Sequence, residues 1–141
     1  MAGILLIVAA GGGFKQVLVD TGIAKLLAAG ITRSSVSPLL MAWLVAVVIR
    51  LATGSATVAT VTAAGILEPV AATLPPTQAA LLVLAIGCGS VFFSHVNDAG
   101  FWLIKEYFGI SVGENIKSWS LMETVLSVCG LLLVLLVSVI I

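Results

Sequence analysis

Hydrophobic residues fall into four blocks along this chain, and the polar positions between them are gathered into short islands. The first block, residues 3–10, ends at Gly11-Gly12-Gly13. It is too short to cross a bilayer, which takes about 20 residues. Residues 14–29 mix Val17, Leu18, Val19, Leu26 and Leu27 with Lys15, Asp20 and Lys25. Together, residues 1–29 read as a hairpin, or a partial span, followed by an amphipathic helix. The second block opens at Ser37-Pro38 and runs to Leu67. Proline suits a helix start because its missing N–H has no intrahelical partner there. As one helix, residues 39–67 would measure roughly 43 Å against a hydrocarbon core of about 30 Å. Its middle holds Thr53-Gly54-Ser55-Ala56-Thr57, residue types that weaken a helix. A helix broken near Gly54 is therefore expected over residues 37–67.

Glu68-Pro69 and Thr73-Leu74-Pro75-Pro76-Thr77 read as a loop. The third block, residues 78–104, reads as a second broken helix, interrupted at Gly87, Gly89 and then at Ser94-His95-Val96-Asn97-Asp98. Residues 105–118 read as a polar connection, with Trp102, Tyr107 and Trp119 suited to the headgroup zone. Residues 119–141 read as a transmembrane helix, with Glu123 at headgroup level near its start. The pattern as a whole predicts an all-α integral membrane protein, a multi-span bundle with re-entrant or interrupted helices.

Composition strengthens that reading. The 141 residues are 61% hydrophobic and 9% charged, with a mean hydropathy of +1.29. A soluble domain carries about 25% charged residues. Net charge is zero and no basic run is present, so nucleic acid is not an expected partner. The start, MAGILLIVAAGGG, has no basic segment before its apolar stretch, which argues against a cleaved signal peptide. Lys15, Lys25 and Arg33 precede the second block and Lys105 and Lys117 follow the third, whereas residues 68–77 hold no Lys or Arg. The positive-inside rule then puts the two basic connections in the cytoplasm and the C-terminus outside. Cys88 and Cys129 sit in apolar runs and read as small buried hydrophobes. No nucleophile elbow, phosphate loop, dinucleotide fingerprint or paired-cysteine motif is present, so neither an enzyme nor a cofactor is expected.

Broken helices at membrane depth need a cavity or a packed partner, because unpaired backbone is not tolerated in lipid. Half-helix N-termini can hold a carboxylate, and small residues let a ligand approach the backbone. Thr53, Gly54, Ser55 and Thr57 form one candidate binding island; helix–helix packing is the alternative use of such residues. Ser94, His95, Asn97 and Asp98 form the other. Ionisable groups within spans are rare and usually functional, although His95 and Asp98 could also satisfy each other. One His, one Asp and one Asn are too few for a metal site by themselves. Arg50 is a candidate for neutralising an anionic solute; it could also snorkel to the interface or pair with an acid elsewhere.

The runs FFSHVNDAGFW (residues 92–102) and KEYF (105–108) closely resemble the C-terminal region of the gluconate permease family. ATGSATVA (52–59), WSLMET (119–124) and AAGGGFK (9–15) are similar to it as well. The resemblance implies proton-coupled uptake of gluconate or a related sugar acid across the bacterial inner membrane. It also implies that this chain corresponds to the C-terminal third of a permease, completed by the missing N-terminal part or by another copy. The larger group contains two inverted repeats, each with a re-entrant hairpin and a broken helix; by analogy residues 3–29 are the hairpin and residues 39–67 the broken helix. On that expectation Ser55, Thr57, Ser94 and Asn97 bond the sugar acid, and Asp98 or His95 takes the coupling proton. The rival classes are an accessory or structural membrane subunit, an inactive permease fragment, and a membrane-embedded enzyme using His95 and Asp98.

Overall fold

A computed structural model describes Gly13, Val17, Asp20, Thr21, Gly22 and residues 37–141. Apart from those five positions, the hairpin and amphipathic helix expected over residues 1–29 lie outside the described residues. Every regular element among the described residues is helical.

The first helix, α1 (Pro38–Thr53), has proline in its first turn and ends at Gly54, whose φ of 67° is left-handed. The Gly54 N–H closes the helix by donating to the Arg50 carbonyl at 2.9 Å. Left-handed backbone carries no side-chain penalty at glycine, which is why the break falls here. Ser55 then caps α2 (Ala56–Ala71), its Oγ accepting from the Val58 N–H. Glu68-Pro69 lies inside α2, not in the expected loop. Pro69 removes one N–H from the ladder, which resumes where the Ala72 N–H donates to the Glu68 carbonyl at 3.0 Å. The connection is confined to residues 72–75.

Helix α3 (Pro76–Ser90) runs unbroken through Gly87 and Gly89, contrary to the sequence expectation. Gly89 serves packing: a Cβ there would strike the Trp43 carbonyl of α1 and sit 2.8 Å from the Ala46 Cβ. Small residues permit this close approach of backbones. The interruption of the third block is residues 91–98, where Phe93 has a φ of 41°. Helix α4 (Ala99–Phe108) follows, capped by the Asp98 side chain and closed by left-handed Gly109.

The expected polar connection at residues 105–118 is largely helical. Ser111 and Glu114 form a reciprocal capping box that starts α5 (Val112–Asn115). One π-helical turn, Ile116–Ser120, carries the chain directly into α6 (Leu121–Ile140). The continuous segment Val112–Ile140 is 29 residues long and is the described helix that is long and apolar enough to span a membrane. It starts earlier than the expected residue 119. Helices α1, α2 and α3 hold 16, 16 and 15 residues, about 24 Å or less at 1.5 Å per residue.

The core lies among α1, α2 and α3, with Ala42, Ala46, Ala59, Ala63 and Ala85 completely buried between Leu39, Ile66, Leu67 and Leu82. Helix α6 packs against α3 and α1. Gly130 faces the Cys88 Sγ at 2.5 Å from where a Cβ would stand. The Trp43 indole donates to Ser127 Oγ at 3.0 Å, and Ser127 donates to the Cys88 carbonyl at 2.5 Å. Cys88 is half-buried, and Cys129 is exposed on the outer face of α6 rather than buried; both are free thiols. That outer face also exposes Leu126, Leu132, Leu133 and Leu136. An apolar surface this continuous suits hydrocarbon.

Gly89→Val should force α1 and α3 apart. We expect a loss of about 1–3 kcal/mol, read as a lower thermal midpoint of tryptophan fluorescence for the detergent-purified chain. An unchanged midpoint would show that the Gly89–Trp43 contact is not a constraint.

Candidate functional site

The two interruptions meet. A Cβ on Gly54 would collide with the Asn97 backbone, and the Asn97 side-chain amide donates to the Leu51 carbonyl at 2.9 Å. The polar islands therefore form one locus, between the end of α1 and residues 91–98.

At its centre lies Arg50, in the last turn of α1 with 3% of its side chain exposed. It does not snorkel. One terminal nitrogen donates to Asp98 Oδ2 in a short ion pair, and the same nitrogen stands 3.6 Å from Glu123 Oε2. The Arg50 Nε is buried without a partner. Asp98 holds three donors: Arg50, the Ser94 hydroxyl, and the Gly100 N–H at 2.8 Å. Its cap geometry explains its orientation, since the first amides of a helix lack intrahelical acceptors. The Ser94 N–H donates to Glu123 Oε2 at 3.2 Å, while the Ser120 hydroxyl donates to the Ser94 carbonyl. Ser94 is thus a buried latch bonded to three elements.

Glu123 is the member of the site that sequence did not single out. It joins the charged cluster because α6 packs its first turn against the interruption. The available signal was weak: one acid at the start of an apolar helix carries no information about its facing. His95 lies apart from the charges. Its Nδ1 accepts from the Asn97 N–H at 3.4 Å and its ring is 5.9 Å from that of Phe93. The Asp98 carboxylate takes Arg50, Ser94 and Gly100 as its partners, so mutual satisfaction with His95 is not how it is held.

The first island is partly consumed in building the break. The Thr53 hydroxyl donates to the Ile49 carbonyl at 2.8 Å, and Ser55 caps α2. Thr57 and Asn97 are exposed beside it. Among the described residues no group of three or more His, Cys, Asp or Glu is arranged to hold a metal ion.

The helices and this buried cation–dicarboxylate cluster define a helical protein with its polar groups concentrated at paired chain breaks. Comparison with known proteins specifies the class. The profile described as GntP family permease matches residues 1–140, and the chain belongs to that family. It is 55% identical to a gluconate permease of Pseudomonas aeruginosa over 99% of this chain and 31% of that protein. It is 55% identical to a high-affinity gluconate transporter of Escherichia coli over 100% of this chain and 32% of the relative. It is 51% identical to the Gnt-II system L-idonate transporter of E. coli over 96% of this chain and 30% of that protein. The chain thus spans about a third of the length of these relatives. No solved structure matches it. The family is one of membrane permeases, not enzymes.

Removing the cation should be costly. Arg50→Met leaves two carboxylates facing each other in a half-buried site, and we expect a loss of about 3–5 kcal/mol, read by thermal unfolding. Adding Asp98→Asn to that variant should recover part of the loss. No recovery would mean that the pair does not carry the effect.

Proposed function

We propose that this chain is part of a secondary active transporter that carries gluconate or a related sugar acid, with protons, across the bacterial inner membrane. It is read as multi-pass, and as one inverted repeat of such a transporter, its C-terminal third. It works with the rest of a permease or with another copy.

The observation that carries the proposal is the buried Arg50, held between two chain interruptions with its Nε unpaired. A guanidinium is the group best suited to a carboxylate, which it can grip with two parallel hydrogen bonds. The sugar acid's carboxylate would approach Arg50, and its hydroxyls would bond Ser55, Thr57 and Asn97 across the Gly54 break. The amides at the start of α2 add a positive dipole end. Ser94 has its hydroxyl on Asp98, so its part in binding requires that bond to exchange. The coupling proton enters the same locus: a sugar acid bound beside Asp98 and Glu123 adds a negative charge where two already stand, and a proton offsets it. Asp98 and His95 are the proton carriers that the sequence suggests.

Uptake of labelled gluconate by cells lacking their own gluconate transport tests this. The chain is expressed alone and joined to the part of the E. coli gluconate transporter that it does not match. Uptake abolished by an uncoupler is expected, in the joined form at least. Insertion without uptake in either form would leave an accessory or inactive membrane protein as the reading. In the transporting form, a cysteine placed at Ser55 or Asn97 should be shielded from a thiol reagent by gluconate.

A further inference from the structure

The cluster has one carboxylate more than its cation can neutralise, and the two acids are held differently. Asp98 caps α4 and meets three donors, Arg50 among them. Its charge is fully employed in holding residues 91–98 to α1. Glu123 Oε2 receives the Ser94 N–H at 3.2 Å and lies 3.6 Å from the Arg50 nitrogen, beyond hydrogen-bond length. It is half-buried, on a helix whose own backbone is complete without it. The ionisable groups on the elements packed against it are Arg50 on α1, Asp98 and His95 between α3 and α4, and Cys88 on α3. On its own helical segment, Glu114 and Lys117 lie at the exposed start.

We infer that Glu123 is the acid that takes and releases the coupling proton, with Arg50 as its counter-charge and Asp98 as the fixed carboxylate of the fold. The inference rests on the transport reading above. One positive and two negative charges leave the cluster negative while Glu123 is ionised, and an anionic solute is repelled. A proton from the outer side adds to the Glu123 carboxylate and gives the neutral carboxyl. Arg50 is then opposed by Asp98 alone, and its unpaired Nε side becomes attractive to the solute's carboxylate. After reorientation the solute leaves, Glu123 returns the proton to the inner side, and its carboxylate again competes for Arg50. No covalent bond other than the O–H changes. Coupling then follows from competition between two carboxylates for one guanidinium.

The test uses proteoliposomes holding whichever form transports gluconate, with accumulation and gluconate counterflow measured across pH. A gradient of about one pH unit and one proton per solute sustains roughly tenfold accumulation in the unsubstituted protein. Glu123→Gln should show no accumulation above equilibration, and its remaining counterflow should lose its dependence on pH. Lys117→Gln, at the exposed start of the same helical segment, should keep both the accumulation and the pH dependence. Accumulation by Glu123→Gln at the unsubstituted level overturns the inference and leaves the transport reading standing. So does loss of pH dependence in His95→Gln alone, or loss of all counterflow in a Glu123→Gln protein that still inserts. If Glu123→Gln does not insert, Glu123→Asp decides: a displaced pH profile is expected, and an unchanged one overturns the inference. Absence of gluconate counterflow in the unsubstituted protein sinks the transport reading itself.

Discussion

A guanidinium withdrawn from water must be met by opposite charge, and Arg50 meets this requirement by recruiting groups from two other parts of the chain. The effective penalty for an unpaired buried ion is several kcal/mol. Asp98 comes from the cap of α4, Glu123 from the first turn of α6, and Ser94 fastens both. These contacts draw the end of α1, residues 91–98 and the start of α6 to one point. The breaks in the helices make the arrangement feasible, because continuous helices would offer no capping carboxylate and no free Ser94 amide there.

The apolar packing around this point is built from small residues. Alanines on α1, α2 and α3, with Gly89 and Gly130, bring the backbones close, while most large residues of α6 other than Leu131 and Val134 face outward. Lipid tails are as apolar as leucine, so close van der Waals contact and polar latches, not exclusion from water, must hold such helices together. Trp43, Ser127 and the Cys88 carbonyl form one latch, and the Ser120 hydroxyl on the Ser94 carbonyl forms another.

The parts legible in the sequence are those where a residue type has one common use. Glycine among hydroxyls marked the break at residue 54, and a long unbroken apolar run marked the last helix. Elsewhere the same residue type has two uses. Gly87 and Gly89 suggested a break, yet Gly89 serves close packing inside a straight helix. Pro69 suggested a loop, yet it lies in the closing turn of α2. The capping box Ser111–Glu114 was written plainly in the sequence but hidden within a stretch that looked merely polar. Arg50 drew attention because a cation in an apolar run is rare; its partner Glu123 did not, because only tertiary packing aims it inward. Within the site, sequence supplied the two islands but not their contact, which depends on how α3 returns alongside α1.

That contact has a mechanical meaning. Two breaks 43 positions apart, Gly54 and Asn97, are pressed backbone to backbone and tied by the Asn97–Leu51 hydrogen bond. They do not supply two independent pivots. Any movement of residues 91–98 away from the end of α1 gives up that bond, at about 1 kcal/mol. In kinematic terms residues 91–98 are clamped to the end of α1 at the Gly54 break, so the two interruptions share one joint.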